Sequence, residues 1–171
     1  FGFWPDAFPI SLCHIYAYWG YIVGPAWIKD PGMTPDTPPR EWNWNPMMDW
    51  AIGQGLTPYV CVQSVPFAEW MRARPYEGMK KYPWGEVGGF PKVDLYRKFL
   101  AALVEKYRGQ IPRYEVENEP MAHHMPPADY SAILEAAGEV IHFADPQAAV
   151  YGICGTGDFV PWMREVFAQT G

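Results

Sequence analysis

At 171 residues and 49% apolar content, the chain is long enough for one domain with a sizeable core. Its formal charge of -6, without a basic cluster, argues against nucleic acid and against an anionic membrane surface as partners. No apolar run approaches the length of a membrane span.

Aromatic residues reach 17%, including 9 Trp, and there are 19 prolines. Most such rings fill a core, but Trp and Tyr also make flat platforms for sugar rings. Cys13, Cys61 and Cys154 are odd in number and far apart, each among apolar neighbours. Buried free thiols are therefore expected rather than a disulfide framework, and the spacing fits no zinc site. The opening "FGFWPDAFP" lacks the charged start and apolar h-region of a signal peptide, which leaves both extracellular and cytoplasmic locations open.

In chain order, "ISLCHIYAYWGYIVGPAW" reads as a short helix near 10–19 followed by a strand near 21–28. The proline-rich stretch "KDPGMTPDTPPREWNW" reads as a long loop. Asn45-Pro46 looks like a cap with proline at the first helical position, opening "PMMDWAIGQGL", which Gly53 or Gly55 closes. "TPYVCVQSVP", 57–66, is β-rich and ends in proline, as a buried strand would. A loop of aromatics, prolines and glycines is expected from Phe67 to Pro91.

The clearest helix is "KVDLYRKFLAALVEKYRG", with Val93, Tyr96, Phe99, Leu100, Leu103, Val104 and Tyr107 on one face and Gly109 at its end. "RYEVENE" reads as a strand, and "PADYSAILEAAGEVIHFADP" as a helix with Tyr130, Ile133, Leu134, Ala137 and Ile141 on one side. "AAVYGIC" is a strand, "GTGD" a loop, and "FVPWMREVFAQTG" a helix opened by Asp158. This alternation predicts a parallel sheet with helices outside it, in one domain spanning 1–171. A doubly wound sheet and a (β/α)8 barrel both fit. No strand is followed by a glycine-rich phosphate fingerprint, and Gly155-Thr156-Gly157-Asp158 lacks the P-loop lysine, so the nucleotide-binding version is disfavoured. The longest loops follow strands, as where barrel active sites are built. A barrel needs about 250 residues, so the α/β fold expected is an incomplete (β/α)8 barrel, about strands one to five with their helices.

The segment "RYEVENEPMAHH", 113–124, concentrates the chemistry. Alternate residues of a strand share a face, so Glu115, Glu117 and Glu119 would point into the barrel while Tyr114 and Val116 face the helices. Glu119 would lie at the carboxyl end, where an apolar, aromatic mouth favours the protonated form that a general acid requires. Asn118 is placed to hydrogen-bond a substrate hydroxyl.

Asn118-Glu119-Pro120 ending a strand resembles the signature of clan A glycoside hydrolases, retaining (β/α)8 enzymes. "EWNWNPMMDWAIGQGLTPYV", "PFAEW" and "ADPQAAVYG" are similar to segments of family 39 (β-xylosidase and α-L-iduronidase type). The resemblance covers most of residues 40–158 and is weak before residue 40. It implies an O-glycosyl hydrolase acting on a β-linked oligo- or polysaccharide. Glu119 would be the acid/base at the end of strand four, and Asn118 would contact the sugar 2-hydroxyl. Many relatives carry Trp or Gly where this chain has Glu117; a second buried acid there would pair with an arginine or raise the Glu119 pKa further, and structural pairing is the expected role. The clan's nucleophile lies at the end of strand seven, which no residue here matches, so the isolated chain is expected to be inactive.

Around this motif, His123 and His124 would sit over the site, binding sugar hydroxyls, tuning Glu119, or standing as a solvated loop pair. Trp70 is the candidate stacking platform, with core packing as its other reading. Gln63 and Ser64, at the mouth of the preceding strand, are candidates for hydrogen bonds to substrate. His14 and His142 fall in helical patterns as core-edge or surface residues. No metal or organic cofactor is implied. The competing function is a carbohydrate-binding or scaffold half-barrel without turnover, whose open sheet edges would invite self-association.

Overall fold

The computed structural model describes residues 12–18, 46–66, 69–82, 85–152, 155 and 159–169. Its elements are β1 (Leu12–Tyr18), α1 (Pro46–Gly53), β2 (Thr57–Gln63), β3 (Arg72–Arg74), β4 (Lys80–Tyr82), β5 (Gly85–Val87) and β6 (Phe90–Pro91). They continue with α2 (Val93–Lys106), β7 (Arg113–Val116), α3 (Pro127–Ala144), β8 (Ala149–Tyr151) and α4 (Val160–Gln169). β1, β2, β7 and β8 form a parallel sheet in that spatial order. The result is a mixed α/β structure.

The first correction to the sequence reading falls on residues 10–19, where the expected helix is instead strand β1. Its register with β2 runs from Leu12 opposite Thr57 to Tyr18 opposite Gln63. A short apolar run does not distinguish helix from strand by periodicity alone. Here the burial decides: Ile15 and Ala17 are buried on one face, while His14 and Tyr16 are exposed on the other. The strand expected at 21–28 and the proline-rich loop lie outside the described residues. Because β1 pairs directly with β2, no other strand sits between them. Asn45, Asp158 and most of the "GTGD" turn also lie outside.

The two faces of the sheet differ sharply. Ile15, Ala17, Val60, Val62, Tyr114 and Val116 form one core with Met48 and Ala51 of α1, Phe99, Leu100, Leu103 and Val104 of α2, and Ile133, Ala137 and Ile141 of α3. Tyr114 and Val116 thus face the helices, as expected. The opposite face carries His14, Tyr16, Tyr59, Cys61, Glu115 and Tyr151. There His14 stacks on Tyr59 at 4.9 Å, and Tyr59 meets Tyr151 edge-on at 6.0 Å.

α2 and α3 follow the expected faces closely, since long amphipathic helices are the strongest pattern a sequence carries. Behind α2, Gly109 takes a left-handed φ of 72°. Its N–H donates to Asp145 Oδ2 at 2.8 Å, while Gln147 N–H donates to Asp145 Oδ1 at 3.3 Å. The Asp-Pro turn therefore ties the end of α3 to the loop entering β7.

The segment from 67 to 91 is more ordered than the expected loop. A 3-10 turn at Glu69–Met71 leads into β3, which pairs antiparallel with β6, and β4 pairs with β5 inside that excursion. Gly89 makes it possible: at φ 93°, a Cβ there would stand 2.6 Å from the Arg74 carbonyl oxygen.

Candidate active site

Parallel pairing puts the carboxyl ends of β2 and β7 side by side, which brings Gln63 and Ser64 beside Glu117, Asn118 and Glu119. β7 stops at Val116, three residues short of the expected strand end. Glu117 N–H still donates to the Val62 carbonyl at 3.0 Å, after which the backbone leaves the extended region. Glu117, Glu119 and His124 take φ of 64°, 49° and 57°, and among the described residues these are the non-glycine positions with positive φ. Each such position costs on the order of 1–3 kcal/mol and tends to cluster where function over-determines the backbone. The alternation argument therefore ends at Val116 and does not fix where Glu117 and Glu119 point.

Glu117 is 0% exposed. Its Oε1 accepts the Ser64 backbone N–H, which takes the place of the expected arginine partner. Burial pushes its carboxyl up to about 7, against the opposing effect of the Ser64 hydrogen bonds. Gln63, 1% exposed, fills the space between. With its amide turned to satisfy both neighbours, Nε2 donates to Glu117 Oε2 at 3.2 Å and Oε1 accepts from Asn118 N–H at 2.8 Å. Gln63 is thus committed to the protein framework and not to the open mouth.

Asn118 and Glu119 are half-buried at the rim. Buried Pro120 opens a 3-10 turn, Pro120–His123, in which Ala122 N–H donates to the Glu119 carbonyl at 2.8 Å. His123 and His124 are both exposed, and the His124 ring lies over Gly78. Two contacts that the sequence did not announce hold this loop. Tyr130 Oη donates to the Val116 carbonyl at 3.1 Å, and Trp162 Nε1 donates to the Met125 carbonyl at 3.1 Å. Neither has a local signature, because each joins segments that meet only in the folded chain. Trp70, in the Glu69–Met71 turn, is half-buried and packs against the main core.

A second polar group lines the helix-free face. His14 Nε2 lies 3.1 Å from Glu115 Oε2, and with Cys61 Sγ the ligand atoms lie within 4.8 Å of one another. Such a donor set has the chemistry to hold a divalent ion. The His14 nitrogen, however, already faces Glu115 Oε2 and its ring is stacked on Tyr59, while among the described residues Glu115 Oε1 is buried without a hydrogen-bond partner. His14 belongs to a strand, not to the helical pattern read for it, while His142 is exposed in the last turn of α3 as expected. Cys61 is buried, as expected. A cleft of about 800 Å³ between α2 and α3, crossed by the 2.6 Å Arg97–Glu139 ion pair, lies on the helix layer, away from these carboxylates.

The chain matches no protein-family model and no curated protein. Its fold is similar to that of a family 39 glycoside hydrolase from the gut symbiont Bacteroides cellulosilyticus WH2. That likeness has a TM-score of 0.52 at 14% identity and covers 83% of this chain and 26% of that one. A looser likeness, too weak to carry an argument, is to xylanase XynB from Paenibacillus barcinonensis, solved in complex with a conduramine derivative. There the TM-score is 0.40 at 17% identity, covering 71% of this chain and 38% of that one. The family resembled by the motifs is the one whose fold the chain shares, and the chain spans about a quarter of that enzyme's length.

Proposed function

We propose that this chain is part of the catalytic (β/α)8 barrel of a retaining glycoside hydrolase acting on a β-linked oligo- or polysaccharide. Glu119 is its acid/base, and the nucleophilic glutamate lies outside residues 1–171. The observation that carries the reading is the place of Asn118-Glu119-Pro120: one residue past the end of a parallel strand, at the carboxyl edge of the sheet, with Asn118 and Glu119 half-exposed and Glu119 in left-handed backbone. The helices α1 to α3 share one face with a common core, and a polar, aromatic surface lines the other. That suits a barrel wall better than a sheet wound on both sides.

In the first step, protonated Glu119 gives its proton to the glycosidic oxygen as the C1–O bond breaks and the nucleophile's carboxylate bonds to C1. In the second, ionised Glu119 takes a proton from water, whose oxygen displaces the enzyme carboxylate at C1. Both carboxylates end as they began. The two must stand about 5–5.5 Å apart, the distance that identifies a retaining site. Asn118 holds the sugar 2-hydroxyl. His123 and His124, exposed in the turn above, meet neighbouring hydroxyls, and Trp70 offers part of its ring to the sugar while packing inward.

The test is turnover of a panel of aryl β-glycosides by the full-length protein, with Glu119→Gln as control. Turnover that the substitution abolishes on unactivated substrates is expected; an unchanged rate there contradicts the assignment. The second reading, a carbohydrate-binding scaffold without turnover, is favoured by the aromatic face of Tyr16, Tyr59 and Tyr151. It predicts sugar binding that survives Glu119→Gln with no hydrolysis by either protein.

A further inference from the structure

Three donors of different chemistry meet on the helix-free face of the sheet, before its carboxyl edge. The parallel register sets Glu115 of β7 directly beside Cys61 of β2, and Cys61 beside Tyr16 of β1, two residues along the same face from His14. His14 Nε2 lies 3.1 Å from Glu115 Oε2, and one ligand atom from each of His14, Cys61 and Glu115 falls within 4.8 Å of the others. Two rings fix the imidazole, which stacks on Tyr59 at 4.9 Å and tilts against Tyr16 at 5.0 Å. Gln63, whose amide approaches Cys61 Sγ at 3.2 Å, is held by Glu117 and Asn118 and supplies no ligand.

The contact with His14 does not complete this group. Glu115 is 3% exposed, and while its Oε2 meets His14, its Oε1 has no hydrogen-bond partner among the described residues. A buried carboxylate is ordinarily satisfied at both oxygens, or else it coordinates a metal. We propose that His14 Nε2, Cys61 Sγ and the Glu115 carboxylate form a zinc site that pins β1, β2 and β7 together below the Asn118-Glu119 loop.

The donor set chooses the ion. A neutral imidazole, a thiolate and a carboxylate carry two negative charges between them, which balances a divalent cation. The thiolate sulfur and the imidazole suit zinc, whereas magnesium and calcium take oxygen ligands. Zinc bonds of about 2.0–2.3 Å place tetrahedral ligand atoms about 3.3–3.8 Å apart, so the three donors close on an ion with shifts of about 1 Å. Three protein ligands leave the fourth tetrahedral position to a group from outside these strands. No local Cys and His spacing announces the site, because each donor stands on a different strand and only the sheet register unites them.

The test uses the full-length protein, freed of metal with a chelator and reloaded with Zn2+, or with Co2+ as a spectroscopic stand-in. The wild type is expected to bind one Zn2+ per chain and to melt at a higher temperature with it, since an ion that binds the folded state stabilises it. Co2+ is expected to give a thiolate-to-cobalt charge-transfer band and the strong visible bands of a tetrahedral centre. Cys61→Ser should abolish the charge-transfer band. His14→Ala and Glu115→Gln should each weaken zinc binding by more than about 100-fold, beyond the 10- to 100-fold loss typical of an outer-shell partner. His14 is exposed, so its replacement leaves the core intact and decides the matter even where Cys61→Ser or Glu115→Gln fails to fold. A wild type that binds no zinc overturns the site, as does cobalt binding without a charge-transfer band or with one that survives Cys61→Ser. Zinc binding unchanged in His14→Ala is adventitious and overturns it equally.

Discussion

Glu117 gives the most direct test at the scale of a single residue, because its burial couples stability to pH. Its folded-state carboxyl, at about 7, stands above the ordinary value of 4.5, so between those values the folded chain holds a proton that the unfolded chain has released. The contribution to stability is complete below about 4.5 and is lost as pH rises to about 7. At about 1.4 kcal/mol per unit, the loss is roughly 3 kcal/mol. Denaturant titrations at about pH 5 and about pH 8 should show the wild type weaker at the higher value by an amount of that order. Glu117→Gln should flatten the difference; a wild type equally stable at both values contradicts the burial account. Little of this was legible beforehand. The sequence marked a second acid out of place in a strand, but its partners, Ser64 N–H and Gln63, come from residues 53 and 54 positions earlier and only the fold brings them near. The same limit applies to the strand's end, where a left-handed Glu117 has no counterpart in period-two alternation.

At the scale of elements, what the sequence revealed depended on length and regularity. α2 and α3 each bury one apolar face at helical spacing over several turns, and both formed where the spacing required. β1 did not disclose itself, since an apolar run of that length suits either structure until a neighbouring strand offers hydrogen bonds. The β3–β6 and β4–β5 pairs lay hidden in a stretch whose glycines and prolines read as loop. The junction between α3 and β7 carries its own prediction. Asp145, buried, accepts from Gly109 and Gln147 N–H, so Asp145→Ala leaves two backbone donors without their carboxylate. A loss of about 1.5–3 kcal/mol in denaturant unfolding is expected, the range for a hydrogen bond to a charged acceptor. A change under about 0.5 kcal/mol, ordinary for a surface position, contradicts that role.

For the molecule as a whole, the contrast between the two sheet faces matters most. One face is sealed by helices; the other exposes Tyr16 and Tyr151 beside the buried Glu115 and Cys61. In the four-stranded sheet β1 and β8 are the outer strands, and parallel strands are ordinarily buried on both sides. Produced alone, residues 1–171 are therefore expected to self-associate through this face and these edges, with a mass by light scattering above that of the 19.5 kDa chain. A monomer that unfolds cooperatively contradicts this. From α1 onward the alternation of main-sheet strands and helices was legible because alternation survives at any sequence distance, whereas closure of a barrel depends on strands that pair with β1 and β8.

The central claim, that Glu119 is the acid/base, is tested most directly by the leaving-group dependence of Glu119→Gln in the full-length enzyme. A general acid matters most when the leaving group is poor. The account predicts a loss of about 100-fold or more on unactivated or alkyl glycosides, with a much smaller loss in the glycosylation step for a nitrophenyl-type leaving group. Equal losses on both, or none on either, would contradict it.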